Sequence, residues 1–429
     1  MSDLEQPIVY YSTEKFVIYL AVLLGFMFDG YDLLLTSFVL GPMATYFNVS
    51  IATVAFALTL VLVSSVIGGI FFGWLADRIG RRPVLFITII TYGITTILAG
   101  AVTSIPMFYL LRFLTGLGVG GEWGIGFSLL SEAYSEKTRG KAGGFLASMY
   151  VFGSLLGAVT ADYTLTTFGS SLGWRYAYII AGVSALVLVL LRLAMPESKV
   201  WLRYKEYKKQ GKLPPGYSQR SPILDIFSRK YIRYTLSGTL MAVAYLFFTY
   251  SYLSFIPTYF HSVYNIPVPV YTEMIVIAEV IGIIGYILNG FLSDTIGRKK
   301  TAVVYGVLSI LSILWFWYEA VQAPAFTGIF SFPVFYAYSA VYFSAGFIAQ
   351  FGVWIGEHFA TRMRATGSNF SYMVGRGLGG GLPPILVPLW TGFGGLGIAM
   401  SIGMMAGAIV QFAAILGLKE TKGTKITAV

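Results

Sequence analysis

The sequence predicts an all-α membrane protein of twelve transmembrane helices in two six-helix bundles related by pseudo-two-fold symmetry. Composition, the spacing of charge and an internal repeat carry that prediction. Only 11% of the 429 residues are charged and 56% are hydrophobic, where a soluble domain carries about 25% charged residues. The charges fall in short clusters between apolar runs long enough to cross a bilayer, which takes about 20 residues. One ten-residue pattern, Gly73-Trp-Leu-Ala-Asp77-Arg-Ile-Gly80-Arg81-Arg82, recurs as Gly290-Phe-Leu-Ser-Asp294-Thr-Ile-Gly297-Arg298-Lys299.

The first six spans are expected at 16–40, 52–76, 84–104, 106–131, 142–165 and 174–195, and the second six at 233–258, 270–293, 301–319, 331–356, 367–390 and 394–418. Inside a bilayer every backbone N–H and C=O needs an internal partner. Unbroken apolar runs of this length meet that need as helices, since barrel strands show about ten alternating residues. The N-terminal segment carries Asp3, Glu5 and Glu14 against Lys15, so no basic leader region is expected.

Lys and Arg gather in alternate loops: Arg78, Arg81 and Arg82; Lys137, Arg139 and Lys141; Arg298, Lys299 and Lys300; Arg362 and Arg364; and the tail with Lys419, Lys422 and Lys425, while the other loops hold almost none, Arg175 being the exception. That bias predicts both termini and the central loop in the cytoplasm of a cell with a plasma-membrane location. The chain divides into a bundle at 1–195, a linker at 196–232 and a bundle at 233–429. The linker holds a basic run from Lys199 to Lys212 followed by Pro214-Pro215-Gly216, and reads as a solvated connection. The net charge of +10 belongs to these loops, so nucleic acid is not an expected partner. The chain has no cysteine, which excludes disulfides and thiolate chemistry.

A second repeat sets Glu132, Arg139 and Gly140 against Glu357, Arg364 and Gly367. Two matched motifs, in order and at equivalent span ends, point to duplication of a six-helix unit with the central path between the halves. Ionisable groups within spans are expensive and mark candidate sites. Asp29 and Asp32, three apart, are expected on one side of the first helix. Arg112 and Glu122 lie on the fourth, about 15 Å apart along its axis. Asp32 with Arg112 is the natural pair, and a shift of the arginine would load or release a proton on the acid; a fixed pair joining two helices is the alternative. Arg376, among glycines in the eleventh helix, has the fork that holds a carboxylate by two parallel bonds; the alternatives are a pair with Glu279 or a reach toward the cytoplasm. Trp123, Tyr245, Phe248 and Tyr252 are candidates for cavity lining, with Asn369 and Gln350 as polar ligands or helix–helix contacts. His358, beside Glu357, is read as an interfacial histidine. The glycine-rich stretches lack the context of a phosphate loop. No triad or metal cluster appears, so no enzyme activity, cofactor or metal is expected.

The two Gly-x-Leu-x-Asp-x-x-Gly-Arg-[Arg/Lys] copies resemble the loop motif of the major facilitator superfamily over the whole chain. Arg112 to Gly124, with Glu122-Trp123-Gly124, is similar to its proton-linked metabolite, sialate and aromatic-acid branches. Pro196-Glu197-Ser198 is similar to those branches and to the sugar porters, and Arg364-Ala-Thr-Gly367 with Asn369 and Arg376 to the organic acid symporters. The resemblance implies a monomer that carries a small organic anion with a proton by alternating access, with Asp32 and Arg112 as the coupling pair; Asp32 is the expected proton carrier, with Asp29 or Glu122 as alternatives. It also implies a cytoplasmic lock of Gly73, Asp77, Arg81, Glu132 and Arg139, and by the repeat Gly290, Asp294, Arg298, Glu357 and Arg364. A sugar or polyol porter is the second reading, against which 233–258 lacks the paired glutamines usual in sugar porters. A receptor on the same fold is a third, without the long tail it would carry.

Overall fold

The computed structural model describes residues 10–135, 137–211 and 221–424. Lys212, Pro214-Pro215-Gly216, Asp3, Glu5 and Lys425 lie outside the described residues. The first half contains α1 (Ser12–Phe47), α2 (Ile51–Ile79), α3 (Arg81–Ala99), α4 (Ile105–Ala133) and α5 (Arg139–Ala194). The 56 residues of α5 hold two helices, one for each of two crossings, because Gly169, at φ +74°, is non-helical and turns the chain between them. Two short helices follow, α6 (Lys199–Lys209) and α7 (Pro222–Asp225). The second half contains α8 (Ile232–Leu253), α9 (Ile256–Tyr264), α10 (Val268–Thr295) and α11 (Arg298–Gln322). It continues with α12 (Pro333–Ser344), α13 (Ile348–Glu357), α14 (Arg364–Gly381), α15 (Pro383–Leu389) and α16 (Leu396–Gly417). The pairs α8/α9, α12/α13 and α14/α15 each make one crossing, so the two halves hold six crossings each.

Nine of the described helices are long and apolar enough to cross a membrane. Helices α4 and α14 are not among them, since charge and glycine dilute their middles, and α5 counts once for two crossings. The outer faces expose Val187, Leu190, Ile284 and Leu311, which suit lipid tails. Lipid is as apolar as leucine, so close packing rather than burial joins helices here.

Local sequence fixes the helix ends. Ser50 caps α2, its hydroxyl accepting from the Thr53 N–H at 3.1 Å. The repeated motif supplies the breaks between α2 and α3 and between α10 and α11: Gly80 and Gly297 sit at φ +117° and +107°, conformations open to glycine. The basic segment after α5 does not run free in solvent. It forms α6, capped by Ser198 at the Trp201 N–H (3.0 Å), and the Trp201 indole donates to the Asp77 carbonyl at 3.0 Å.

The two halves meet along two matched seams, α2 on α14 and α5 on α10. In the second seam Gly144 and Gly290 lie back to back. A Cβ on Gly290 would stand 2.6 Å from the Gly140 carbonyl oxygen and 2.9 Å from the Gly144 Cα.

Candidate functional site: buried ion pairs and two clusters between the bundles

Three ion pairs lie within the spans. Asp32 accepts from Arg112 Nη1 at 3.0 Å on each oxygen and from the Thr96 hydroxyl at 2.5 Å. Glu122 does not stand alone: Arg192 donates to it at 2.6 Å and Thr88 donates at 2.6 Å. Both pairs stay inside the first half. The third crosses between the halves, with Arg376 of α14 donating to Asp29 Oδ1 at 3.4 Å. Asp29 is fully buried and its Oδ2 has no partner. The two aspartates of α1 therefore diverge, because three residues turn a helix by about 60° from full register. Asp32 faces its own bundle and Asp29 faces the other. Arg376 pairs with Asp29, and Glu279 has another environment.

Around Arg376 stand Tyr150 of α5, Tyr250 of α8 and Tyr372 of α14. Trp123 stacks on Tyr372 at 3.7 Å with 10° between planes, so α4 and α14 touch across the halves beside the guanidinium. Asn369, one turn below Tyr372, accepts from the Gly124 N–H at 2.8 Å while its Nδ2 lacks a partner. Asn369, Tyr372 and Arg376 thus form one face of α14. Tyr245, Phe248 and Tyr252 form a separate wall inside the second half. The Tyr245 hydroxyl donates to the Ala345 carbonyl at 2.9 Å, Phe248 lies between Tyr245 and Tyr252, and Tyr252 meets Tyr338 and Tyr342. Gln350 serves the start of α11: its amide meets the Arg298 carbonyl and the Ala302 N–H, both at 3.1 Å.

The basic face is closed by two charge clusters of matching design. In the first, Arg81 binds Asp77 (3.0 Å) and Glu132 (3.1 Å), Glu132 also binds Arg364 (2.8 Å), and Asp77 accepts from the N–H (2.9 Å) and hydroxyl (2.7 Å) of Thr366. In the second, Arg298 binds Asp294 (2.6 Å) and Glu357 (3.3 Å), and Glu357 also binds Arg139 (3.0 Å). Asp294 accepts from the N–H groups of Gly140 (2.9 Å) and Lys141 (2.7 Å). Each aspartate caps a helix of the opposite half, where the exposed N–H groups and the dipole favour an anion. Arg139 and Arg364 have crossed over: each binds the glutamate of the other repeat. Gly73 lets α2 lie on α14, where a Cβ on it would stand 3.0 Å from the Asn369 amide nitrogen.

Each cluster is extended by residues whose roles were not expected. Glu197 accepts from the N–H groups of Arg81 (3.0 Å) and Arg82 (3.2 Å), and Ser198 donates to Glu132 at 2.5 Å. Glu420 accepts from the N–H groups of Arg298 (2.9 Å) and Lys299 (3.0 Å), and Thr421 donates to Glu357 at 2.5 Å. The signal was a third repeat, Glu197-Ser198-Lys199 against Glu420-Thr421-Lys422. Burial is the largest influence on both acids and pushes the Glu197 carboxyl above its usual range. At Glu420 four backbone N–H groups outweigh burial and hold the carboxyl below it. Arg192, Thr88 and Thr96 left no such signal.

Twelve helical crossings in two bundles, closed on one face by paired charge clusters, define a polytopic carrier. The model of the Major Facilitator Superfamily matches residues 20–384, and the chain belongs to that superfamily, a family of membrane transporters and not of enzymes. It is similar to the sialic acid transporter NanX of Escherichia coli strain K12, 26% identical over 393 residues that span 92% of this chain and 90% of that one. It is also similar to a probable 4-methylmuconolactone transporter of Cupriavidus pinatubonensis, 29% identical over 407 residues, with 94% and 90% covered. Among solved structures, the proton:xylose symporter XylE bound to 6-bromo-6-deoxy-D-glucose matches with a TM-score of 0.81 at 19% identity, over 97% of this chain and 98% of that one. At that identity the likeness is one of fold.

Proposed function

We propose that the chain is a proton-coupled symporter of a small organic anion, acting by alternating access in the plasma membrane with its basic face in the cytoplasm. The observation that carries this reading is the cross-bundle pair of Arg376 and Asp29. At 3.4 Å it is the longest of the three intramembrane pairs, against 3.0 Å for Arg112–Asp32 and 2.6 Å for Arg192–Glu122. A substrate carboxylate offers the guanidinium two parallel bonds and displaces Asp29. A buried carboxylate without a cation is costly, so the displaced Asp29 takes a proton. Anion binding and proton binding are then one event. Of the two aspartates of α1, the proposal gives the exchangeable proton to Asp29; Asp32, held by Arg112 and Thr96, keeps α1 on α4.

The energetics fit uptake from acidic surroundings. Each pH unit supplies about 1.4 kcal/mol per proton, and one proton with one monoanion moves no net charge. The similarity to a sialic acid transporter supports an acidic substrate. In this cycle the two clusters hold the basic face shut, and both must break for release inward.

The test is uptake into proteoliposomes under an inward-acid gradient, with radiolabelled benzoate, nicotinate, sialic acid and xylose. We expect accumulation of an acid by the wild type, its loss in Arg376→Ala, and in Asp29→Asn an exchange activity that no longer follows the gradient. Accumulation of xylose with Arg376→Ala still active would overturn the reading and make Arg376 structural.

A further inference from the structure

One buried carboxylate has no place in that cycle. Glu279 lies in the middle of α10 and is 8% exposed. Among the described residues, no Lys, Arg or His lies within ion-pair distance of it, whereas Asp32, Glu122 and Asp29 each have a guanidinium. Its neighbours are hydroxyls: Ser154 of α5 across the seam, Tyr252 of α8, Tyr286 of α10 itself, and Tyr338 and Tyr342 of α12. Other described titratable groups near α10 are engaged elsewhere: Lys141 of α5 lies over the Phe291 ring, and Tyr245 of α8 donates to the Ala345 carbonyl. Tyr259 and Tyr264 of α9 bond each other, Tyr305 of α11 donates to the Gly285 carbonyl, Glu319 of α11 accepts from Trp315, and Glu357 of α13 is held by Arg139 and Arg298.

An anion in this setting would lack a counter-charge, and the group avoids that cost by carrying a proton. The location adds a second argument. Ser154 belongs to the first half and Glu279 to the second, so their contact lies on the α5–α10 seam that also brings Gly144 against Gly290 and Asp294 under Gly140. Opening of that seam removes Ser154 and admits water. Helix packing alone does not ask for an acid here. With Asp77 set on Asp294, the matching position of the first repeat is Leu62.

We propose that Glu279 is a second proton site of the transport cycle, loaded while α5 lies against α10 and emptied when that seam opens toward the basic face. On opening, the carboxylic O–H gives its proton to water, and the carboxylate left behind accepts from the tyrosine hydroxyls and from solvent. This rests on the symport reading and changes its arithmetic: two protons travel with one monoanion, so the cycle carries net positive charge inward.

The experiment is uptake of benzoate and nicotinate, both monoanions, into proteoliposomes at a fixed inward-acid gradient, with and without an inside-negative potassium diffusion potential. We expect wild-type uptake to rise with the potential, and Glu279→Gln to keep gradient-driven uptake while losing the response to potential. An equal response to potential in Glu279→Gln and wild type, or gradient-driven wild-type uptake that ignores the potential, would overturn the second site and leave the symport reading standing. Absence of gradient-driven uptake of either acid or of sialic acid in the wild type would overturn both. Infrared difference spectra during a pH titration in lipid give an independent readout: the carbonyl band of a protonated carboxyl should vanish in Glu279→Gln and survive in Asp29→Asn. If Glu279→Gln does not fold, Glu279→Asp should shift that band, and an unmoved band counts against the proposal.

Discussion

Arg192 and Glu122 hold each other at 2.6 Å with side chains 0% and 2% exposed. Removing one partner strands the other charge, a change that costs about 3–5 kcal/mol. Arg192→Leu should therefore lower the thermal midpoint sharply, and the double variant Arg192→Leu/Glu122→Gln should recover most of the loss. A double variant no more stable than the single would show that the pair is not what holds this region. Arg192 was illegible because it stands at the end of its apolar run and reads as a basic flank. Arg112 and Asp32 were legible because each interrupts its run, and a lone charge there demands a partner. At His358 the ring nitrogen Nδ1 meets the Trp354 carbonyl at 2.8 Å while Nε2 has no partner. Burial, the largest influence, pushes its pKa down. The unfolded chain then binds the proton more readily, so stability falls as pH drops through the ordinary histidine value of about 6.5 toward the lower folded value. His358→Gln should flatten that limb of a stability-versus-pH curve, and an unchanged limb would assign it to other groups.

Helix by helix, the spans were readable from hydropathy, and their interruptions were not. The expected spans 142–165 and 174–195 are the two helical arms of α5, and they meet at Gly169, where a single glycine at positive φ turns the chain without a polar loop. The eleventh crossing is helical despite weak hydropathy because both its faces are protein-facing: one meets α2 and α4, the other α8. At this scale the seam of α5 on α10 is the testable feature. The atoms that a Gly290 side chain would meet are backbone atoms of Gly140 and Gly144, which cannot swing aside, so Gly290→Val must hold the seam apart. Ser293, buried in that seam at 0% exposure, reports on it. The chain has no native cysteine, so Ser293→Cys is a clean site for an aqueous maleimide. We expect slow labelling in the otherwise wild-type protein and fast labelling with Gly290→Val. Equal rates would mean that α5 and α10 adapt by sliding instead.

For the whole molecule, the duplicated motifs revealed the pseudo-symmetry but not the exchange between halves. Nothing in the order Glu132…Arg139 says that Arg139 belongs with Glu357, because only the docking of the bundles decides which of two like glutamates it meets. The exchange has a mechanical consequence. The first cluster ties α2, α3 and α4 to α14, and the second ties α10, α11 and α13 to α5. Each holds two acids and two arginines, so neutralising one acid leaves like charges facing each other across the halves. Opening the basic face must break both clusters, which makes their contributions to one closed–open equilibrium additive in free energy. Glu132→Gln and Glu357→Gln should each raise the labelling rate of Ser293→Cys about tenfold, equivalent to about 1.4 kcal/mol. The double variant should raise it about a hundredfold. A double variant labelled no faster than the faster single would mean that one cluster alone holds the face shut, and that the second forms only after closure.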